Sequence, residues 1–379
     1  MKIRKWLKRF MCFIVVSFIV LGPYLFEAYK TNLEKVPESK EESFKGVIVI
    51  GDYPYFNQET GTRYGRITQK IKAFEKENKG VYIDFKPLSA QRGLIEIETA
   101  AKMNALPDIA PVGGHIEIQQ QELLEPLDDY IESSILKEYL DGVIDSVTYN
   151  NNIYGIPRLI NLHIMIINRY ELEMTGTSLP QKPVMPQKDF LTLTEELYKQ
   201  TGKPLLVGEK TRLSLAWLAN SQEKLREIQT KSGILYKEHL ERELEKHNIP
   251  IGACTTMELA KLNYKMGGEL DYKRMNLYAH QKNIYGECLA YGIFKQDDEK
   301  KLQMCLKFID FLTNNEEQLE LSKYSAFSVK KTKETLYIED SDMGQLERLL
   351  KNANKKFTNT LTRDQKSDFI NMYPPNDKP

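Results

Sequence analysis

Hydrophobic and polar positions follow two different periods along this chain, and the switches between them mark out its elements. KGVIVIGD at residues 45–52 is a short apolar run closed by a turn, which predicts a buried strand. Ile67, Ile71 and Phe74 then fall at helical spacing among Lys70, Lys72, Glu75 and Lys76, and Asn78-Lys79-Gly80 ends that helix. Val81, Ile83 and Phe85 alternate as a strand requires. Leu94, Ile97 and Ala101 return to helical spacing, Pro107-Asp108 breaks the run, and IAPV reads as a third strand. Strand, helix, strand, helix, strand at this spacing predicts parallel strands joined by crossover helices.

The later pattern is less regular. Residues 116–132 predict a helix up to Leu124 and a turn at Pro126. NIYGIP at 152–157 and LINLHIMIIN at 159–168 read as two strand-like runs. Residues 187–201 and 221–247 predict highly charged helices, the second mostly a solvated face. GECLAYGIF at 286–294 is strand-like and precedes an amphipathic helix. Leu302, Leu306, Ile309 and Leu312 line one face of that helix, with Lys301, Lys307 and Asp310 off it. Residues 371–379 form a loose tail.

Charge adds an address. Lys2, Arg4, Lys5, Lys8 and Arg9 precede an uncharged apolar run from Phe10 to Phe26. Basic residues followed by such a run mark a targeting segment, residues 1–27, that sends the remainder across a membrane. It is either a retained anchor or a cleaved signal, and bulky Phe26 ahead of Ala28 favours the anchor. Cys12 lies at the start of the run, so the pattern is not that of a lipoprotein. Residues 28–43 are polar and aperiodic, a linker. Over the 379 residues, 53 Lys+Arg balance 53 Asp+Glu, so there is no basic surplus of the kind nucleic-acid binders carry. Cys254, Cys288 and Cys305 remain beyond the targeting segment; they read as buried small hydrophobes, although one bridge stays open.

The order of these elements resembles the extracellular solute-binding proteins of ABC importers, the maltose-binding-like, sugar-type group. FEKENKGVYIDFKPLS (74–89) resembles that family's helix and following strand, and ETAAKMNALPDIAPVGGH (98–115) its small-residue helix, Pro-Asp, strand and cleft loop. ELLEPLDDYI (122–131) is similar to its Gly-Leu-Leu-x-Pro-Leu-Asp segment, with Glu122 in place of Gly. Residues 149–176 resemble its first crossing between lobes, with Ile167-Asn168-Arg169 where a Tyr-Asn-Lys end is usual, and 291–318 its late strand and helix. Residues 177–250 depart from the pattern.

The resemblance implies an α/β, two-lobed periplasmic-binding-protein-like fold, each lobe a sheet flanked by helices, with a cleft between the lobes. One lobe would comprise 44–157 with 282–315 and the other 158–281 with 316–370. The ligand would be a small polar solute, a sugar favoured, bound by lobe closure and passed to the permease subunits of an ABC importer. A membrane-anchored sensor or partner protein on the same fold is the alternative.

Three positions suit the wall of such a cleft, since ligands collect at the carboxyl ends of parallel strands. Asp52, Tyr53, Tyr55 and Phe56 follow the first strand: the aromatics either stack on a sugar ring or pack under the loop, and Asp52 accepts hydroxyl hydrogen bonds. Gly113, Gly114 and His115 follow the third strand, as a close backbone approach to ligand or a plain tight turn. Arg158 follows the first crossing, where it either meets a carboxylate, phosphate or ring of a ligand or forms an inter-lobe or surface salt bridge. Trp217, in RLSLAWLAN, is either a stacking platform or core. His163 lies inside an apolar strand and reads as a satisfied core residue. No metalloprotease, phosphate-loop, dinucleotide or serine-hydrolase motif occurs, so neither an enzyme, a metal nor a cofactor is expected.

Overall fold

The computed structural model describes residues 44–89, 92–112, 122–178, 181–208, 222–237, 250–265, 272–276, 283–352 and 356–359. The chain opens with β1 (Gly46–Asp52), α1 (Gly65–Glu77), β2 (Val81–Pro87), α2 (Gly93–Lys102) and β3 (Ile109–Val112). Both β2 and β3 run parallel to β1, so this part is built by helical crossovers. Ile48 and Ile50 of β1 are completely buried. The helical stripe of α1 buries Ile67, Ile71 and Phe74. Asp108 of the Pro-Asp pair is bound into the fold. Its carboxylate accepts from the Val49 N–H at 2.7 Å and pairs with Lys301 at 2.7 Å.

A short helix α3 (Ser133–Leu136) leads to the hairpin β4 (Thr148–Tyr149) and β5 (Asn152–Ile153). Asn150 and Asn151 turn it with φ of 48° and 68°, the left-handed pair that a tight hairpin needs and that Asn tolerates. Asp128 holds this hairpin by accepting from the Ile153 N–H at 3.0 Å. Next comes β6 (Ile156–Asn168), a single strand of 13 residues that takes in most of the two runs expected around Arg158. Then follow α4 (Arg169–Met174), α5 (Gln187–Thr201), β7 (Leu205–Gly208), α6 (Gln222–Ser232), β8 (Ile234–Lys237) and β9 (Ile251–Thr255). The chain continues with α7 (Thr256–Lys265), β10 (Tyr272–Asn276), β11 (Asn283–Ile293), α8 (Glu299–Thr313), α9 (Asn315–Leu319), α10 (Ser341–Leu350) and β12 (Lys356–Asn359). The Phe74 ring of α1 lies 4.8 Å from Phe308 and 5.5 Å from Phe311 of α8.

Among the described residues ten strands form one sheet in the order β2-β1-β3-β11-β6-β9-β7-β8, with β10 also on β6 and β12 on β11. The long strand β6 organises it. From Ile156 to Leu162 it pairs antiparallel with β11, and from His163 to Ile167 with β9. Ile160, Leu162, Ile164 and Ile166 on one face belong to a single apolar cluster with Phe327, Leu346 and Leu350. Met165 and Ile167 on the other face pack with Phe190, Leu197 and Val207. Asp342, at the start of α10, accepts from Lys273 Nζ at 2.6 Å, Arg169 Nη2 at 2.9 Å and the Arg274 N–H at 3.0 Å, which ties that helix to β10.

Two helical expectations are corrected. Within 221–247 the helix does not run on unbroken: it ends at Ser232, Gly233 takes φ 56°, and the apolar Ile234-Leu235 opens a strand parallel to β7, while residues 238–247 lie outside the described residues. The helix expected to reach Leu124 does not include residues 122–124. There Glu122 adopts φ 54° and Leu124, fully buried, pairs with Phe294. Burial beside a strand edge overrides the helical spacing. Cys254, Cys288 and Cys305 are all buried and unbridged, and burial pushes the Cys288 and Cys305 thiols up to about 12. The segments 1–27, 28–43 and 371–379 lie outside the described residues, among which no helix is long and apolar enough to cross a membrane.

Candidate functional site

The carboxyl end of β1 and one face of the β6–β11 pair carry two polar clusters. The first centres on Asp52, which is 1% exposed. Its Oδ1 accepts from the Tyr53 N–H at 2.8 Å. Its Oδ2 accepts from the Tyr291 hydroxyl at 2.7 Å and from Arg158 Nη1 at 3.1 Å. Arg158 Nη1 also meets the Tyr291 hydroxyl. The guanidinium lies 4.4 Å from the Tyr55 ring centre and 5.2 Å from that of Tyr291, a cation held between two aromatic faces.

A bulge delivers Arg158 to this place. Leu159 pairs with Leu289 and Pro157 with Ala290, so Arg158 is the extra residue on β6, facing no partner across the ladder. Bulges bend a strand and re-aim its side chains. Without it, period-2 alternation would turn Arg158 to the face of Ile160 and Leu162, into the apolar cluster those residues fill. Gln318, completely buried, secures the bend by donating Nε2 to the Arg158 carbonyl at 2.8 Å.

The electrostatics follow from burial. Desolvation pushes the Asp52 carboxyl above its ordinary value, while the Arg158 charge and the hydrogen bonds from Tyr291 and the Tyr53 N–H pull it back. Desolvation raises Tyr55 and Tyr291 far above the usual phenol range and Tyr53 to about 12, with the Asp52 charge adding to it in each case.

The second cluster sits where β6 exchanges β11 for β9. Asn161, 2% exposed, donates Nδ2 to Glu287 Oε2 at 3.1 Å. Its Oδ1 accepts from the Met257 N–H at 3.1 Å and from Thr256 Oγ1 at 3.3 Å. Thus one amide ties β6, β11 and the start of α7 together. The side chain of Glu287 stays 29% exposed, and its Oε1 lies 3.8 Å from Nε2 of the buried His163. Thr255 and Glu258 cap α7 reciprocally: Thr255 N–H donates to Glu258 Oε2 at 2.6 Å, and Glu258 N–H to Thr255 Oγ1 at 3.3 Å.

The loop after β1 bridges the two clusters. Phe56 meets Tyr264 of α7 edge-on at 5.6 Å. Gly61, at φ 69°, lies so close under that ring that a Cβ would come within 2.6 Å of Tyr264 Cζ. Gln58 is anchored through its N–H to the Lys323 carbonyl at 2.8 Å and through Nε2 to the Ser322 carbonyl at 2.8 Å.

Of the residues singled out from the sequence, Asp52, Tyr53, Tyr55, Phe56 and Arg158 therefore come together around one end of the sheet. Gly113, Gly114, His115 and Trp217 lie outside the described residues. Tyr291, Asn161, Thr256, Glu287 and Tyr264 were not anticipated. Asn161 and Glu287 carried a signal, each a polar residue inside an apolar strand, because such a group is buried only where partners satisfy it. Among the described residues no group of three or more His, Cys, Asp or Glu is arranged to hold a metal ion.

No family profile matches the sequence. A protein of Brucella abortus (strain 2308), named only as a binding protein, is 25% identical over 111 residues. That match covers 29% of this chain and spans only 27% of the relative's length. Solved structures align over much more. The ABC substrate-binding protein from Listeria monocytogenes in complex with cycloalternan is 15% identical, with a TM-score of 0.63 over 86% of this chain and 92% of that one. The sugar-binding protein MalE from Xanthomonas citri is 12% identical, with a TM-score of 0.65 over 86% and 91%. A chitin oligosaccharide binding protein reaches 0.68 at 12% identity over 86% and 94%. The chain has the mixed α/β fold of maltose-binding-like solute-binding proteins.

Proposed function

We propose that this chain is an extracytoplasmic solute-binding protein that captures a small polar solute, a carbohydrate by preference, for an ABC importer. The observation that carries the proposal is the exchange of partners along β6 between Leu162 and His163, with a polar floor at that point. There the part-exposed Glu287 offers its carboxylate between two parts of the sheet, held in place by the buried Asn161, which is itself bound to Thr256. The lobes are 44–157 with 282–315 and 158–281 with 316–370, and closing them over the floor is the binding motion. Residues 1–27 deliver the chain across the membrane and, if retained, anchor it there. The partners are then permease subunits, and the work is binding rather than catalysis.

The fold likeness supports the reading, because proteins whose names state sugar ligands share this fold over more than four-fifths of the chain. Thermal-shift screening against neutral mono- and oligosaccharides, glycosides, amino acids and peptides tests it. A ligand at a hundred times its Kd raises the melting temperature by roughly 3–4 °C in a protein of this size. A flat response across the whole panel would overturn the reading.

A further inference from the structure

We propose that Arg158 is an internal occupant of a ligand subsite at the end of β1, and that it sets how long a solute the cleft accepts. The proposal rests on the solute-binding reading above. A cleft reads a sugar with carboxylates that take hydroxyl hydrogen bonds and with aromatic faces that cover its ring. Asp52 and Tyr55 are such a pair, placed where open α/β sheets bind ligands. Arg158 uses both: its Nη1 lies 3.1 Å from Asp52 Oδ2, and its guanidinium stacks 4.4 Å from the Tyr55 ring centre. Tyr291 takes the remaining reach of Oδ2 and the Tyr53 N–H takes Oδ1.

The arrangement is directed. The bulge on β6 places Arg158 on this face, and Gln318 fixes its backbone. The guanidinium covers the outer side of an apolar cluster in which Tyr55 packs with Leu159, Leu321, Tyr324 and Ala326: the Arg158 side chain keeps 13% of its surface exposed, while Asp52 keeps 1%. It behaves as a tethered plug whose outer edge forms the wall. Solute is thereby confined to the floor at Glu287, and a ligand unit that would lie against Tyr55 has no room.

Arg158→Ala empties the place. Ethylguanidinium, the severed end of the missing side chain, is the first probe. At millimolar concentration it raises the melting temperature of Arg158→Ala by roughly 2–4 °C, and leaves wild type and Asp52→Asn/Arg158→Ala unmoved. Linear gluco-oligosaccharides of two to five units, titrated calorimetrically, are the second probe. Wild-type affinity stops rising at short length, whereas Arg158→Ala gains about tenfold with further units. If Arg158→Ala does not fold, Arg158→Lys keeps the charge opposite Asp52, uncovers the Tyr55 face, and shows the same gains at reduced size.

Selective stabilisation by ethylguanidinium without any saccharide binding sinks the sugar reading and leaves the internal occupant standing. The inference itself is overturned if ethylguanidinium acts equally on all variants, or if the saccharide length profile is identical in wild type and variant. In either case Arg158 is a structural clamp only.

Discussion

The two polar clusters on the β6–β11 face differ in how completely they are closed. Around Asp52 the carboxylate, guanidinium and phenols satisfy one another, and Asp52, Tyr55 and Tyr291 are all buried. Around Asn161 the amide is also satisfied, but its partner Glu287 keeps 29% of its side chain in solvent. The first has the character of a lock and the second that of a floor. A buried ion pair adds little net stability against an apolar replacement, but removing one partner strands a charge. A part-exposed carboxylate loses little when changed, because water already shares its hydrogen bonds. Stability should therefore report on the Asp52 cluster and binding on the Asn161–Glu287 floor.

Arg158→Met breaks the comparison hardest. It leaves Asp52 as an unpaired carboxylate at 1% exposure, with a predicted loss of about 3–5 kcal/mol in urea unfolding. Adding Asp52→Asn removes the stranded charge and should recover more than half of that loss. If the double variant is as unstable as the sum of the two singles, the pair is not coupled and the lock does not exist.

Alkaline pH separates the clusters next, because the first holds three tyrosines raised by burial; Tyr139 and Tyr337 elsewhere are raised too, so the share of the cluster is read from the difference that Tyr291→Phe makes. Burial holds Tyr53 at about 12 and raises Tyr55 and Tyr291 well above their ordinary value of 10. Folded-state values above the unfolded ones mean that the contribution to stability is complete below pH 10 and is lost as pH rises through 12 and beyond. Unfolding followed by urea at stepped pH, with tyrosinate absorbance alongside, should show stability falling from about pH 10 upward. Tyr291→Phe should flatten that fall, and an unchanged slope would contradict the assignment.

Asn161→Ala tests the floor with a smaller effect. It leaves the Met257 N–H and the Thr256 hydroxyl without their acceptor in a buried place, a loss of about 1–3 kcal/mol. The apparent affinity for any solute found by screening should fall with it, because α7 is no longer fixed to β6.

The sequence disclosed these clusters unevenly, for physical reasons. The turns and strands of the first part were legible because each is set locally, by apolar alternation and by Gly80 at φ 92°. The motif carboxylates Asp108 and Asp128 were visible too, and both serve backbone N–H groups rather than a ligand. Asp52 and Arg158 were visible as chemistry but not as partners, since 106 residues separate them and a one-residue bulge decides which face Arg158 takes. Asn161 and Glu287 become neighbours only through antiparallel pairing across 126 residues, which no local pattern encodes. The strand after Gly233 was hidden because four residues are too few for a period to outweigh the helical charges around them. Glu122 marks a further limit: at φ 54° it occupies a left-handed position where the resemblance has glycine, so Glu122→Gly should stabilise the fold by about 1 kcal/mol in thermal unfolding.

Glu287→Gln has the smallest structural effect and is the sharpest measure of the difference between the clusters. The amide has the carboxylate's shape and can still accept from Asn161 Nδ2, so stability should change by no more than about 0.5 kcal/mol. A hydroxylated solute, however, exchanges a charge-assisted hydrogen bond for a neutral one. Such bonds are about twice as strong when the acceptor is ionised, so Kd should weaken by about tenfold. Unfolding and calorimetry on the same preparation decide the matter. Lost affinity at unchanged stability makes Glu287 part of a solute-reading floor; lost stability at unchanged affinity makes the second cluster a lock like the first.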